Sequence, residues 1–227
     1  MYKYETHLHT SPVSRCARAS AEESLRFYKE QGYDGVFITN HFIDSNIGIS
    51  EDCSYEEKIK FYFSDYEKAL IAGEEMNIKV FCGVEMSVNG TDFLVYGCDK
   101  EWFLSHPETA TAEMSHRLEM LKSVGALIIQ AHPYREASYI DHIRLYPRNI
   151  HGTEVENACR SDFENKMAHL YAENYNLIKF AGSDNHVAGN IHKLAGIQTP
   201  SPITDERDFI ERILSGNFEI FTETRQQ

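Results

Sequence analysis

No stretch of the 227 residues comes near the roughly 18 consecutive apolar residues of a membrane-spanning helix. The opening MYKYETHLH is polar and lacks the apolar core of a secretory leader, so the chain reads as cytoplasmic, with no membrane partner. Cysteine is sparse and unpatterned. Positions 16, 53, 82, 98 and 159 form no C-x-x-C motif and are odd in number, which excludes neither thiols nor metals but argues against a disulfide framework or a thiolate zinc knuckle. They are expected in the core, with Cys16 set apart by its neighbour Arg15. Positive charge is also short: 22 Lys and Arg face 35 Asp and Glu, a formal net charge of −13. A body of that sign repels a long polyanion unless metal ions or a basic patch reverse it, so long nucleic acid is not expected as a partner. There is no Pro/Gly/Ser-rich linker, internal repeat or abrupt change of composition, and residues 1–227 read as one domain.

What is present is enough for a core, with 42% hydrophobic and 25% charged residues. Short apolar runs at 35–39, 79–84, 126–130 and 177–181 have the continuous character of strands covered on both faces, which predicts a parallel sheet. Amphipathic helices separate them. Ser20 with Glu23, Ser54 with Glu57 and Ser161 with Glu164 are capping boxes, and Met114, Leu118 and Leu121 mark a further helix before Gly125. In the third capped helix Phe163, Met167 and Leu170 are expected to face inward. Asn89-Gly90, flanked by 84–88 and 93–96, is a hairpin signal that distorts a strictly alternating barrel.

The chemically active side chains collect at or just past the strand ends. His7 and His9 end the first run, and His41, Glu85, His132 and the pair Asp184 and His186 each follow another. Loops beyond the carboxyl ends of parallel strands meet on one face, so these residues converge although the sequence scatters them. By contrast His106, His116, His142, His151, His169 and His192 fall in loops or helices. Residues i and i+2 of a strand point the same way, so His7-x-His9 can grip one cation; Asp184-x-His186 is expected to repeat that geometry, with Glu85 bridging two ions. Imidazole and carboxylate together suit Zn, Mn or Fe.

At these residues the chain resembles the PHP superfamily, the polymerase and histidinol phosphatase domain. The likeness is carried by Glu5-Thr6-His7-Leu8-His9-Thr10, Ile38-Thr39-Asn40-His41, Gly83-Val84-Glu85 with Ala131-His132-Pro133, and Gly182-Ser183-Asp184-Asn185-His186, with Glu154-Val155-Glu156-Asn157 between the last two. It implies a distorted (β/α)7 TIM-like barrel of mostly parallel strands with a metal site at its C-terminal mouth. It also implies that His7, His9, Glu85 and Asp184 form the catalytic set around a first ion. Glu85 and His132 would hold a second, and His41 and His186 a third or part of the second. The chain departs from the family pattern in three places. Residues 11–16 offer no histidine or acid, leaving the third site a ligand short. Asn40 replaces an Asp and would orient His41 without charge. A histidine common on the strand after Glu85 is replaced within Phe93-Leu94-Val95.

The expected activity is hydrolysis of a small phosphate ester, in which two or three divalent ions polarise the phosphoryl oxygens and make a bound water nucleophilic. Arg15, Arg18 and Arg135 border the motifs and are candidates to hold substrate phosphate, Arg15 foremost. The competing readings are an amidohydrolase-like attack on a C–N or lactone bond and a non-catalytic metal-binding regulatory module.

Overall fold

Three serines start three of the six α-helices among the described residues. Ser20, Ser54 and Ser161 each accept the main-chain N–H three residues on, and the glutamate there reaches back to the serine's own N–H, so two orphan donors are satisfied at each helix start. The helices are α1 (Ala21–Glu30), α2 (Tyr55–Met76) and α5 (Asp162–Tyr175); α3 (Lys100–Ser105), α4 (Met114–Ser123) and α6 (Glu206–Ser215) complete the set. Ser161→Ala is expected to cost about 1 kcal/mol and to lower the thermal midpoint by about 2–4 °C. An unchanged melting curve would show that α5 is held by packing alone.

The computed structural model describes residues 1–225, and among these no helix is long and apolar enough to cross a membrane. Nine strands form one sheet: β1 (Tyr2–Leu8), β2 (Gly35–Ile38), β3 (Lys79–Val88), β4 (Thr91–Tyr96), β5 (Leu127–Ala131), β6 (Gly152–Asn157), β7 (Ile178–Gly182), β8 (Lys193–Thr199) and β9 (Glu219–Thr224). Their order is β7-β6-β5-β4-β3-β2-β1-β8-β9. The first seven therefore follow one another round the sheet, and β8 and β9 extend it beyond β1. This corrects the seven-stranded, mostly parallel expectation, because four pairings are parallel and four antiparallel. The cause is local. Asn89 and Gly90 both have positive φ, 48° and 78°, which makes the tight hairpin that reverses β4 against β3 and β5.

The sheet rolls into a nearly closed barrel. Tyr4, Phe37, Phe81, Leu94, Tyr96, Ile129, Phe180 and Ile197 come from seven strands to one cluster, and Phe209 and Ile213 of α6 plug it, with the Phe209 ring 4.2 Å from that of Phe37. Closure between β1 and β7 is not a continuous ladder. A side-chain hydroxyl stitches that seam, Thr6 Oγ1 donating to Ala181 O (2.5 Å), and Ser183 Oγ ties the end of β7 to β8, donating to Ala195 O and accepting from Ala195 N, each at 3.0 Å. Outside the barrel, α5 docks through Asn165, Ala168, Tyr171 and Ala172 rather than through its large apolar residues. Phe163 and Leu170 are 63% and 43% exposed because Asn165 pairs with the main chain of Asn157 and fixes the helix at another rotation.

Candidate metal centre

Tyr4 belongs to the barrel interior, so simple alternation along β1 would send Leu8 inward and His7 and His9 out. The register with β2 shifts between Glu5 and Leu8, an extra residue that reverses the alternation. Leu8 then packs under α1, while His7 and His9, both fully buried, turn to the centre. Glu85 lies inside β3 rather than past its end, at the level where β3 leaves β2 to pair with β4, and it bridges to His41. His132 and Asp184 follow β5 and β7 with φ of 23° and 54°, backbone that costs a non-glycine residue about 1–3 kcal/mol. The expected extended Asp184-x-His186 pair is therefore broken at Asp184, whose backbone is left-handed. It still delivers both side chains, because Asn185 exchanges main-chain hydrogen bonds with His7 and His9.

All seven expected ligands meet. Ligand atoms of His7, His9 and Asp184, of His7, Glu85 and His132, and of His9, His41 and His186 lie within 4.8 Å of one another in each group. Their far sides are anchored. His7 Nδ1 donates to Glu154 Oε1 at 3.0 Å; Glu154 Oε2 accepts from the main chain of His132 and from Asn157 Nδ2. His9 Nδ1 is 3.0 Å from Ser14 Oγ, which donates to Asn40 Oδ1. Asn40 thus supports His9 and the Thr10 main chain, and reaches His41 only through Ser14, which accepts the His41 N–H.

With the Nδ1 side of each ring so engaged, the Nε2 atoms of His7 and His9 both turn to the centre, 3.1 Å apart. His41 Nδ1 stands 2.6 Å from Glu85 Oε2 but off the line of a hydrogen bond, so both atoms are buried without a hydrogen-bond partner, as are His132 Nε2 and Asp92 Oδ2. Such atoms are costly to bury unsatisfied, and an ion is one of the few groups that satisfies them together. The residues fit a divalent cation.

Burial opposes charge on each of these groups, and the neighbours decide the outcome. Burial pushes Glu85 up, yet His41 and His9 hold it well below the usual carboxylate range; burial likewise raises Asp184, which His7, His132 and His186 bring down. His9 is driven well down by burial and by His186 and His41, which keeps its lone pair free. Burial would lower His7, but Glu154 and Asp184 raise it well above normal. Burial raises the Cys16 thiol, while hydrogen bonds with His186 and His41 outweigh this and bring it to about 6.

The centre floors a cavity of about 630 Å³, whose walls include His41, Arg135, Tyr139, Cys159, Arg160 and His186. Arg135 is there as expected, but Arg15 and Arg18 are exposed and do not line it; Arg15 turns outward toward Ile49 O. Sequence reasoning missed Arg160, Glu154 as the anchor of His7, and Asp92, whose Oδ2 lies 3.8 Å from His132 Nε2 and 2.9 Å from Arg135 Nη2. It also placed every cysteine inside. All five are free, and Cys16 and Cys159 are exposed in this cavity's wall.

The PHP-associated family profile matches residues 162–218, which contain Asp184 and His186. No curated protein sequence matches the chain. Among solved structures it is similar to a two-domain Bacteroides vulgatus protein containing a predicted PHP-like metal-dependent phosphoesterase, at 14% identity and a TM-score of 0.71. That likeness takes in 97% of this chain and 64% of the other, so the chain spans less than two thirds of it. PsfC from Pseudomonas syringae aligns at 16% identity and a TM-score of 0.59 over 100% of this chain and 93% of its own. An amidohydrolase from Chromobacterium violaceum, with bound sulfate and no metal, aligns at 14% and 0.54 over 96% and 97%. The profile match over residues 162–218 and the barrel shared with PHP-like neighbours together support a place for the chain in the PHP superfamily.

Proposed function

We propose that the chain is a metal-dependent phosphoesterase acting on small phosphate esters. The observation that carries this is the pairing, round one cavity, of a buried histidine–carboxylate centre with two guanidinium groups, Arg135 and Arg160, whose buried Nε atoms have no hydrogen-bond partner. His7, His9, Glu85 and Asp184 would hold one ion, and Glu85, His132 and Asp92 another, with imidazole and carboxylate suiting Zn, Mn or Fe. Such ions supply charge to the phosphoryl oxygens and acidify a water. Arg135 and Arg160 offer N–H groups to non-bridging oxygens in the fork geometry that matches phosphate. Glu154 keeps His7 in the tautomer that leaves Nε2 free. The paired arginines favour phosphate over the amide or lactone of an amidohydrolase, and the size of the cavity with a net charge of −13 favours small substrates over long strands.

A panel of sugar phosphates, short nucleotides, long single strands and amide or lactone compounds, offered to metal-loaded protein at fixed salt, tests the reading. Small phosphoesters should be turned over best. Arg160→Ala should raise KM for them about tenfold, the worth of one charge-assisted hydrogen bond, and leave uncharged compounds unaffected. Turnover of amides or lactones alone would favour the amidohydrolase alternative, a preference for long strands a nuclease, and silence with metal bound a regulatory module.

A further inference from the structure

The loop after β1 delivers a thiol to the centre. It is pinned on both sides of Cys16: Arg15 N donates to Asn46 O at 2.9 Å, beyond the His41 motif, and Arg18 N donates to His186 O at 2.7 Å. Between these two bonds the Cys16 Sγ comes within 3.2 Å of His41 Nε2, and Cys16, His41 and His186 line the same cavity. The two imidazoles are oriented for it. His186 Nδ1 lies 2.9 Å from Asp184 O, a carbonyl that only accepts, so the proton is on Nδ1 and the lone pair on Nε2. In His41 the nitrogen turned to Cys16 is likewise Nε2, while Nδ1 lies beside Glu85 Oε2 without a hydrogen bond. Glu85 is 1% exposed, and its Oε2 has no hydrogen-bond partner, an independent sign that positive charge belongs on this side of the centre. The rings of His41 and His186 both lie against His9, at 4.3 and 4.1 Å between centroids.

We propose that Cys16 is a metal ligand, its thiolate completing with His41 and His186 a third cation site at the cavity mouth. This rests on the metal reading above and adds to it a ligand of different chemistry. One sulfur and two imidazoles make a softer site than the carboxylate-rich floor, so the mouth takes zinc in preference to manganese, while the floor accepts either.

Stepwise loading of the full chain with Co2+ tests this, because thiolate ligation gives cobalt an intense near-ultraviolet sulfur-to-metal charge-transfer band. The wild-type chain should show the band. Cys16→Ser should lose it and bind one ion fewer, and Cys16→His should regain the ion without the band. Cys16 is exposed, so neither change disturbs the core, and circular dichroism should confirm it. Cys159→Ser removes the other thiol of the cavity and should leave the band intact. A band that survives Cys16→Ser, or cobalt bound with visible d–d absorption and no charge-transfer band, overturns the thiolate site and leaves the phosphoesterase reading standing. Failure to bind cobalt at all overturns both.

Discussion

Replacing Glu85 by alanine is expected to reduce phosphoester hydrolysis by more than about 100-fold, the loss of several kcal/mol of electrostatic stabilisation, and to lower the bound-metal content measured by elemental analysis. Glu85 stands at the meeting point of the site: its oxygens lie 3.2 Å from His7, 3.5 Å from His9, 2.6 Å from His41 and 3.5 Å from His132. The fold should survive, because the histidines left behind can become neutral and so leave no uncompensated buried charge. His9→Ala and Asp184→Ala should behave alike. Normal metal content and turnover in all three variants would place the chemistry elsewhere.

A second large effect is expected from a residue that touches no ion. Glu154 accepts from three donors, His7 Nδ1–H, the His132 N–H and Asn157 Nδ2–H. Glu154→Gln preserves its shape but turns an amide NH2 toward at least one of them, so His7 or His132 must rotate or change tautomer. Metal affinity should fall by about 10–100-fold, measured by competition with a chromophoric chelator, and turnover should recover at saturating metal. Unaltered affinity would reduce Glu154 to a packing role.

Much of this centre is legible in the sequence because ligand chemistry and strand ends are both local signals. His7-x-His9, His41, His132, Asp184 and His186 each sit beside an apolar run or turn that announces itself. The Ser–Glu capping boxes are equally local, and all three helices begin at them. What escapes depends on register and rotation. The bulge between Glu5 and Leu8 decides which face of β1 carries histidine, yet alternation alone does not show an inserted residue. The outward turn of Phe163 follows from the Asn165–Asn157 pair, a contact that exists only once α5 meets β6. Arg15 looked better placed than Arg160 because it is near a motif in sequence, whereas the loop carrying it turns that side chain away and points its neighbour Cys16 inward. Glu154 was visible as part of a motif, but its three donors come from three segments that only folding assembles.

The seam between β1 and β7 gives the barrel the mechanics of a split ring. His7 and His9 stand on one lip and Asp184 and His186 on the other, and below them the lips are fastened by the Thr6 hydroxyl on Ala181 O rather than by a full ladder. A cation gripped by both lips is then a clasp as well as a reagent. Withdrawing it with a chelator should quicken amide hydrogen exchange along β1 and β7 ahead of the rest of the sheet, and the same opening would be the route by which ions are exchanged. In such a ring the tightness of the active centre and the integrity of the wall are one quantity, and a substitution that loosens either will be felt in both.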